Sequence, residues 1–208
     1  MYLFEMINNN IKRIAALQNG ISEARKSLLE SFGNYISDKL SKKETVNLNF
    51  ICTHNSRRSH ISQIWAQTAA AYYDIPGIKC FSGGTEATAF NPRAVKAMTE
   101  LGFKIEKEED SANPVYRVYY SESAEPILCF SKKYDDPFNP HSDFAAIMTC
   151  SDADDNCPYI PGAAARFPVR YEDPKKYDDT EQENSKYRER CEQIGAEMLY
   201  AFSLIKKY

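Results

Sequence analysis

The stretch VNLNFICTHNSRRS, which runs from Val46 to Ser59, decides the fold. Residues 46–51 are rich in apolar side chains and predict a buried strand that runs directly into Cys52. From Ser59 to Tyr73 the apolar side chains recur at helical spacing, which predicts a helix. A strand followed by a loop and a helix is a building unit of the parallel α/β sheet.

Strands and helices alternate along most of the remaining chain, which favours the α/β class. Further strands are predicted at residues 78–81 and 144–149, and further helices at residues 92–101 and 182–206.

Two segments depart from this alternation. Residues 1–46 predict a helical hairpin, divided at Gly20, whose second helix is capped by Ser22. Residues 113–140 predict a β-hairpin insertion, because two strand-like runs flank a polar Ser-Glu-Ser turn. We therefore expect an N-terminal helical extension over residues 1–46 and a main domain over residues 47–208.

Composition bounds the class of protein. The chain has 43% hydrophobic residues, 26% charged residues and a formal net charge of −3, which is ordinary for a globular protein and disfavours nucleic acid or an anionic membrane as its partner. We see neither a signal peptide nor an apolar run of about eighteen residues, so we expect a cytoplasmic protein without a membrane span. Six cysteines in a chain of this size do not indicate a disulfide scaffold.

The loop after the first strand is suited to binding a tetrahedral oxyanion. Backbone N–H groups at a helix N-terminus converge on such an anion, and the same field favours the thiolate form of Cys52. Arg58 can bind two anion oxygens through its planar fork, and Ser59 can form a hydrogen bond with the thiolate. The predicted oxyanion-binding residues are Thr53, His54, Asn55, Ser56, Arg57, Arg58 and Ser59. A buried cysteine beside a surface arginine is the alternative, but the position between strand and helix argues against chance.

This loop resembles that of the low-molecular-weight protein tyrosine phosphatases and of the thioredoxin-linked arsenate reductases. The segments Phe81-Ser-Gly-Gly-Thr-Glu86 and Asn91-Pro-Arg-Ala-Val95 are similar to the family as well. The resemblance covers roughly residues 47–105 and 143–205. It implies a flavodoxin-like four-stranded parallel sheet with flanking helices, and it makes residues 47–208 a phosphatase-like catalytic domain.

The loop also departs from the family pattern at three positions. His54 stands where Gly is usual, so we expect a different backbone conformation there. Arg57 stands where a second loop cysteine is common, and its charge is expected either to strengthen anion binding or to face solvent. Gln63 stands where some of the reductases have a glutamate that helps to bind potassium, which leaves a potassium site open. No residues are assigned as metal ligands, and no cofactor is expected.

The segment Cys150-Ser-Asp-Ala-Asp-Asp-Asn-Cys157-Pro158 resembles the redox segment of the arsenate reductases. The resemblance implies a relay in which Cys150 attacks Cys52, Cys157 then attacks Cys150, and thioredoxin reduces the final disulfide. Three alternatives to this relay remain. In the first, Cys150 is only a core residue. In the second, Cys150 and Cys157 contribute to a zinc site of unusual spacing, and in the third, the nearby aspartates disfavour the thiolates.

Asp173, which precedes Pro174, resembles the general acid of the family. The stretches Asp135-Asp136-Pro137 and Asp178-Asp179 are weaker candidates, since Asp-Pro also begins ordinary turns. Order along the chain favours Asp173.

Three functions follow from these residues. The first is a thioredoxin-dependent arsenate reductase that uses Cys52, Cys150 and Cys157. The second is a phosphomonoesterase acting through a cysteinyl-phosphate, with phosphotyrosine as a candidate substrate. The third is a non-catalytic oxyanion or redox sensor. Arsenate and phosphate share one tetrahedral geometry, so the motif alone does not choose between them.

Overall fold

A computed structural model describes residues 2–157 and 159–205. In this part of the chain the strands are β1 (Val46–Cys52), β2 (Ile78–Gly84), β3 (Lys104–Lys107), β4 (Tyr116–Tyr119), β5 (Ile127–Cys129), β6 (Phe144–Met148) and β7 (Ala163–Phe167). The α-helices are α1 (Glu5–Ala15), α2 (Glu23–Ser41), α3 (Arg58–Tyr72), α4 (Pro92–Glu100), α5 (Ser151–Asn156) and α6 (Glu183–Ser203).

The central sheet has four strands in the order β2-β1-β6-β7, and all neighbours are parallel. The predicted flavodoxin-like sheet is therefore confirmed. Strands β1 and β6 are buried almost throughout, as expected for a sheet covered by helices on both faces. Strand β7 was not predicted, because its sequence Ala-Ala-Ala-Arg-Phe has no β-branched residue and lies at the sheet edge.

The insertion forms a second, antiparallel sheet with the order β3-β4-β5. The predicted hairpin is confirmed, since β4 pairs with β5 from Tyr116 opposite Cys129 to Val118 opposite Ile127. Strand β3 adds to the other side of β4. It was missed because its sequence Lys-Ile-Glu-Lys has a single apolar residue.

The N-terminal helices α1 and α2 pack against α6. Their apolar faces are buried in the same core as α6, through Ile7, Ile11 and Ile14 of α1 and Leu29, Phe32 and Ile36 of α2. The helical hairpin and its cap are confirmed, because Ser22 Oγ accepts a hydrogen bond from the Arg25 N–H at 3.3 Å. The division of the chain at residue 46 stays a prediction.

The carboxyl ends of the parallel strands meet at one edge of the central sheet. Cys52 ends β1, Gly84 ends β2, and Cys150 lies two residues after the end of β6. Ligands of open α/β sheets bind at this edge. Among the described residues no helix is both long enough and apolar enough to span a membrane.

Candidate active site

The oxyanion loop, residues 52–59, connects β1 to α3. Cys52 is 3% exposed, and its Sγ lies 3.1 Å from Ser59 Oγ. Helix α3 begins at Arg58 and has 15 residues, so its N-terminus directs a positive partial charge at the loop. The predicted contact between Ser59 and the sulfur of Cys52 is present in the structure.

Asn55 sets the shape of this loop. It has the positive φ of 44°, which asparagine tolerates better than most residues. Its Nδ2 donates to Ser59 Oγ at 2.9 Å, and its Oδ1 accepts from the Lys132 N–H at 2.9 Å. Because the Ser59 hydroxyl already accepts from Asn55, its own hydrogen is free to point at Cys52 Sγ.

His54 stands where Gly is usual in the family, but it does not adopt a left-handed conformation, since the positive φ falls on Asn55 instead. The His54 carbonyl accepts from Thr88 Oγ1 at 3.1 Å and from Ser131 Oγ at 2.9 Å. Its ring is half exposed, with Nε2 3.5 Å from Glu86 Oε2. Sequence reasoning did not find that the insertion, through Ser131 and Lys132, supports the loop.

Arg58 reaches the segment that carries Asp173. Its Nη2 donates to Asp173 Oδ2 at 2.7 Å, and its Nη1 donates to the Tyr171 carbonyl at 3.0 Å. Nε of Arg58 is buried and has no hydrogen-bond partner among residues 2–157 and 159–205. The structure thus places the predicted clamp and the predicted acid side by side, with a donor of the clamp still available.

Asp173 is also the cap of a short 3₁₀ helix. Its Oδ1 accepts from the Lys175 N–H at 3.0 Å, and Pro174 follows at the first helical position. The other aspartates are engaged elsewhere, since Asp136 accepts from the Phe138 N–H in a turn and Asp178 pairs with Arg57. The carboxylate of Asp173 is 31% exposed, so it borders both the loop and solvent.

One of the two expectations for Arg57 was that its side chain faces solvent, and the structure shows that it does not. Its side chain is only 11% exposed, Nε donates to the Tyr187 hydroxyl at 2.6 Å, and Nη2 donates to Asp178 Oδ2 at 3.1 Å. The Tyr187 hydroxyl donates in turn to Asp178 Oδ1 at 2.7 Å. Asp178 therefore compensates most of the charge of Arg57.

Cys150 lies close to the oxyanion loop. It is fully buried, its Sγ is 3.5 Å from Thr53 Oγ1, and it accepts from the Ala153 N–H at 3.4 Å as the cap of α5. Cys52 and Cys150 belong to one apolar cluster, and the partly buried Cys157 packs against that cluster. The three predicted cysteines are therefore brought together.

Helix α5 was missed by the sequence reasoning, because it has six residues and most of them are polar. Two arginines hold it in place. The carboxylate of Asp154, which is 5% exposed, forms ion pairs with Arg166 and Arg170. Arg166 Nη2 also donates to the Cys157 carbonyl at 3.3 Å. The negative charge of Asp154 beside the thiols is thus balanced.

The remaining cysteines, Cys80, Cys129 and Cys191, lie in the core. Burial raises the pKa of Cys129 to about 12, and it raises the pKa values of Cys80 and Cys191 further. Within the described ranges, no group of three or more His, Cys, Asp or Glu side chains is arranged to hold a metal ion. The buried Gln63 amide donates to the Cys80 carbonyl at 3.0 Å.

A groove of about 750 Å³ opens beside Arg58 and Asp173. Its lining includes Ser151 and Asp152 of α5 on one side and Lys175 and Lys176 on the other. The groove is lined by Arg58 of the oxyanion loop and by two residues of α5, and its lining carries both basic and acidic side chains.

Known proteins resemble this chain in sequence and in fold. No family model matches it. An arsenate reductase of Bacillus licheniformis is 32% identical over 147 residues, which is 70% of this chain and 87% of that protein. An arsenate reductase of Bacillus subtilis is 30% identical over the same shares of the two chains. A mutant of YwlE from Bacillus subtilis matches the fold with a TM-score of 0.51 and 12% identity, over 78% of this chain and all of that one.

Sequence identity above 30% over most of a relative's length is sufficient to assign a family, and the fold and the loop geometry agree with it. The chain therefore belongs to the family of arsenate reductases and low-molecular-weight protein tyrosine phosphatases, and it is an enzyme.

Proposed function

We propose that this enzyme reduces arsenate to arsenite, with Cys52 as nucleophile and with Cys150 and Cys157 as the source of two electrons. One observation carries the proposal. Cys52 and Cys150 share an apolar cluster at the carboxyl edge of the sheet, and Cys157 packs against it. A phosphatase needs a single thiol, whereas a two-electron reduction needs a pair of thiols that becomes a disulfide.

In the first step the Cys52 thiolate attacks the arsenic atom. A sulfur–arsenic bond forms and an oxygen leaves as water, with its proton supplied by Asp173. Arg58 and the backbone N–H groups of residues 53–58 stabilise the charge on the arsenate oxygens. The contact of 2.7 Å between Arg58 and Asp173 supports the proximity of these two groups at the oxyanion loop.

In the second step the Cys150 thiolate attacks Cys52 Sγ. The Cys52–Cys150 disulfide forms, the sulfur–arsenic bond breaks, and its electron pair stays on arsenic, which becomes arsenite. In the third step Cys157 attacks Cys150, which releases the Cys52 thiolate and leaves a Cys150–Cys157 disulfide. The partly exposed position of Cys157 supports its role as the last thiol.

A thiol reductant must then restore the Cys150–Cys157 pair. We propose thioredoxin for this step, since a dithiol protein returns two electrons by the same exchange chemistry. Free cysteines as the working state fit a reducing compartment such as the cytoplasm.

A second candidate is hydrolysis of phosphomonoesters, with phosphotyrosine as one substrate. The adjacency of Arg58 and Asp173 at the oxyanion loop favours it, because a clamp and a proton donor are all that a cysteinyl-phosphate mechanism requires beside Cys52. Membership of a family of enzymes argues against the third candidate, a non-catalytic sensor.

The relay is tested with four single variants. Arsenate reduction with thioredoxin and aryl phosphate hydrolysis are measured for Cys52→Ser, Cys150→Ser and Cys157→Ser, with Cys80→Ser as the control at a buried cysteine without an assigned role. We expect Cys52→Ser to lose both activities by about a thousandfold or more. Cys150→Ser and Cys157→Ser should keep aryl phosphate hydrolysis and lose repeated arsenate turnover.

Mass spectrometry distinguishes the two later steps. After arsenate treatment, Cys157→Ser should accumulate a Cys52–Cys150 disulfide, whereas Cys150→Ser should hold no such bond. Arsenate turnover by Cys157→Ser at the rate of the unmodified enzyme would show that the relay is wrong. Phosphate ester hydrolysis without any arsenate reduction by the unmodified enzyme would establish the second candidate instead.

A further inference from the structure

Arg25 of α2 joins the N-terminal helices to the acid loop, residues 168–173. Its Nε and Nη2 donate to Glu197 Oε2 of α6 at 3.0 and 2.7 Å. The same Nη2 donates to the Arg170 carbonyl at 3.1 Å, and the guanidinium carbon lies 4.9 Å from the centre of the Tyr171 ring. One side chain of the N-terminal helices thus contacts two consecutive residues of the acid loop.

Tyr171 is fixed from three directions. Its N–H donates to the Thr149 carbonyl at 3.0 Å, and its carbonyl accepts from Arg58 Nη1 at 3.0 Å. Its ring is 5% exposed and lies under Arg25. Because Asp173 follows two residues later, the fixed position of Tyr171 determines where the carboxylate of Asp173 lies.

The contact between Arg25 and Glu197 is built into the interior. The side chains of Arg25 and Glu197 are 18% and 5% exposed, so water screens the pair weakly. A planar guanidinium can donate to a carboxylate and to a carbonyl while its face covers an aromatic ring. An ammonium group has no such flat face and fixed fork.

We propose that Arg25 is a positioning residue, through which the N-terminal helices hold the acid loop so that Asp173 is aimed at the oxyanion loop. The proposal rests on the proposed role of Asp173 as the proton donor. It gives residues 1–46 a part in the chemistry, although Arg25 acts only through its contacts with Arg170 and Tyr171.

The variants must separate positioning from folding. Arg25→Met alone leaves the buried Glu197 without its partner, so the double variant Arg25→Met, Glu197→Gln removes the charge pair and keeps the shapes. Arg25→Lys keeps the charge but not the planar fork. Arg13→Met is the matched control, because Arg13 forms a 2.8 Å ion pair with Glu192 between α1 and α6 and does not touch the acid loop.

The readout is the dependence of hydrolysis on the leaving group. Phenyl phosphate needs a proton from Asp173, whereas 2,4-dinitrophenyl phosphate releases a stable anion that does not. At a temperature where circular dichroism shows full folding, we expect the double variant to lose about tenfold in kcat/KM on phenyl phosphate. The loss on the dinitrophenyl ester should be about twofold or less. On phenyl phosphate, the activity of Arg25→Lys should lie between that of the unmodified enzyme and that of the double variant.

Amide hydrogen exchange of residues 169–173 of the acid loop gives a measurement that needs no turnover. We expect faster exchange in the double variant and unchanged exchange in Arg13→Met. Unchanged exchange, or an equal loss on both esters, would overturn the positioning role. If the unmodified enzyme acts on neither arsenate nor phosphate esters, the proposed function fails, and the exchange experiment still decides whether Arg25 orders the acid loop.

Discussion

At the scale of the residue, two side chains in series, those of Asn55 and Ser59, connect the backbone N–H of Lys132 to the nucleophile. The Lys132 N–H fixes Asn55, Asn55 fixes the Ser59 hydroxyl, and Ser59 lies against Cys52 Sγ. Each link uses a buried donor, which is costly to leave unpaired. The chain of hydrogen bonds therefore orients a hydroxyl that would otherwise rotate freely.

Ser59→Ala removes the donor to the sulfur of Cys52, so alkylation of Cys52 by iodoacetamide at neutral pH should slow by about five- to tenfold, equivalent to about 1–1.4 kcal/mol. Ser62→Ala is the control, since Ser62 Oγ donates to the Arg58 carbonyl within α3 and does not contact Cys52. An unchanged alkylation rate in Ser59→Ala would exclude the hydroxyl as a support of the thiolate.

His60 makes the stability depend on pH. Burial, with a smaller contribution from the charge of Lys132, lowers the pKa of His60 to about 3 from 6.5. Below about pH 6.5 the imidazole of His60 is therefore protonated in the unfolded chain but stays neutral in the folded protein. The free energy of unfolding falls as the pH decreases below about 6.5. Between about pH 7 and pH 5 the His60 contribution to the loss should be about 2 kcal/mol.

Urea unfolding at the two pH values tests this contribution. His60→Gln keeps an amide that can donate to the Phe130 carbonyl, the partner of His60 Nε2 at 3.2 Å. The difference in unfolding free energy between the two pH values should be about 2 kcal/mol smaller in this variant. An equal difference in both proteins would mean that His60 titrates normally.

At the scale of the element, helix α5 opposes the proposed disulfide. Its six residues, from Ser151 to Asn156, separate Cys150 from Cys157, and a helix of that length spans about 9 Å. A disulfide requires Cα atoms about 5.5 Å apart. The helix must therefore unwind in part before the Cys150–Cys157 bond forms, and its ion pairs with Arg166 and Arg170 resist that change.

Asp154→Asn removes the charge that pairs with Arg166 and Arg170. Oxidised glutathione should therefore form the Cys150–Cys157 disulfide several-fold faster in this variant, since loss of these pairs weakens the helix by about 1 kcal/mol in total. Asp152→Asn is the matched control, because the Asp152 carboxylate forms no ion pair in the described part of the chain. Equal oxidation rates for the two variants would exclude the arginine contacts as a restraint on α5.

At the scale of the whole molecule, α6 holds the two parts of the chain together. It packs against α3 of the sheet domain and against α1 and α2 of the N-terminal hairpin. Gly195 permits the close approach to α3, because an added Cβ would lie 2.8 Å from Trp65 Cε2, a fully buried side chain. A displaced α6 would also move Glu197, the partner of Arg25.

Gly195→Ala should therefore lower the free energy of unfolding by about 1–3 kcal/mol through overpacking. Denaturant unfolding measures this loss. Gly20→Ala should stay within about 0.5 kcal/mol of the unmodified protein, since an added Cβ meets nothing within 4 Å there. A stability in Gly195→Ala equal to that of Gly20→Ala would show that α6 and α3 can separate without cost.

Spacing of neighbouring residues was sufficient to predict the α/β class, the two N-terminal helices and the loop from Cys52 to Ser59. The four-stranded parallel sheet followed from the resemblance to a known family. The hydrogen bonds that complete the candidate active site depend on the tertiary structure, because they join residues far apart in the chain. Asn55 meets Lys132 across 77 positions, Arg57 meets Asp178 across 121, and Arg25 meets Arg170 across 145. Periodicity describes which face of an element is buried, but it carries no information on which distant donor and acceptor share that interior.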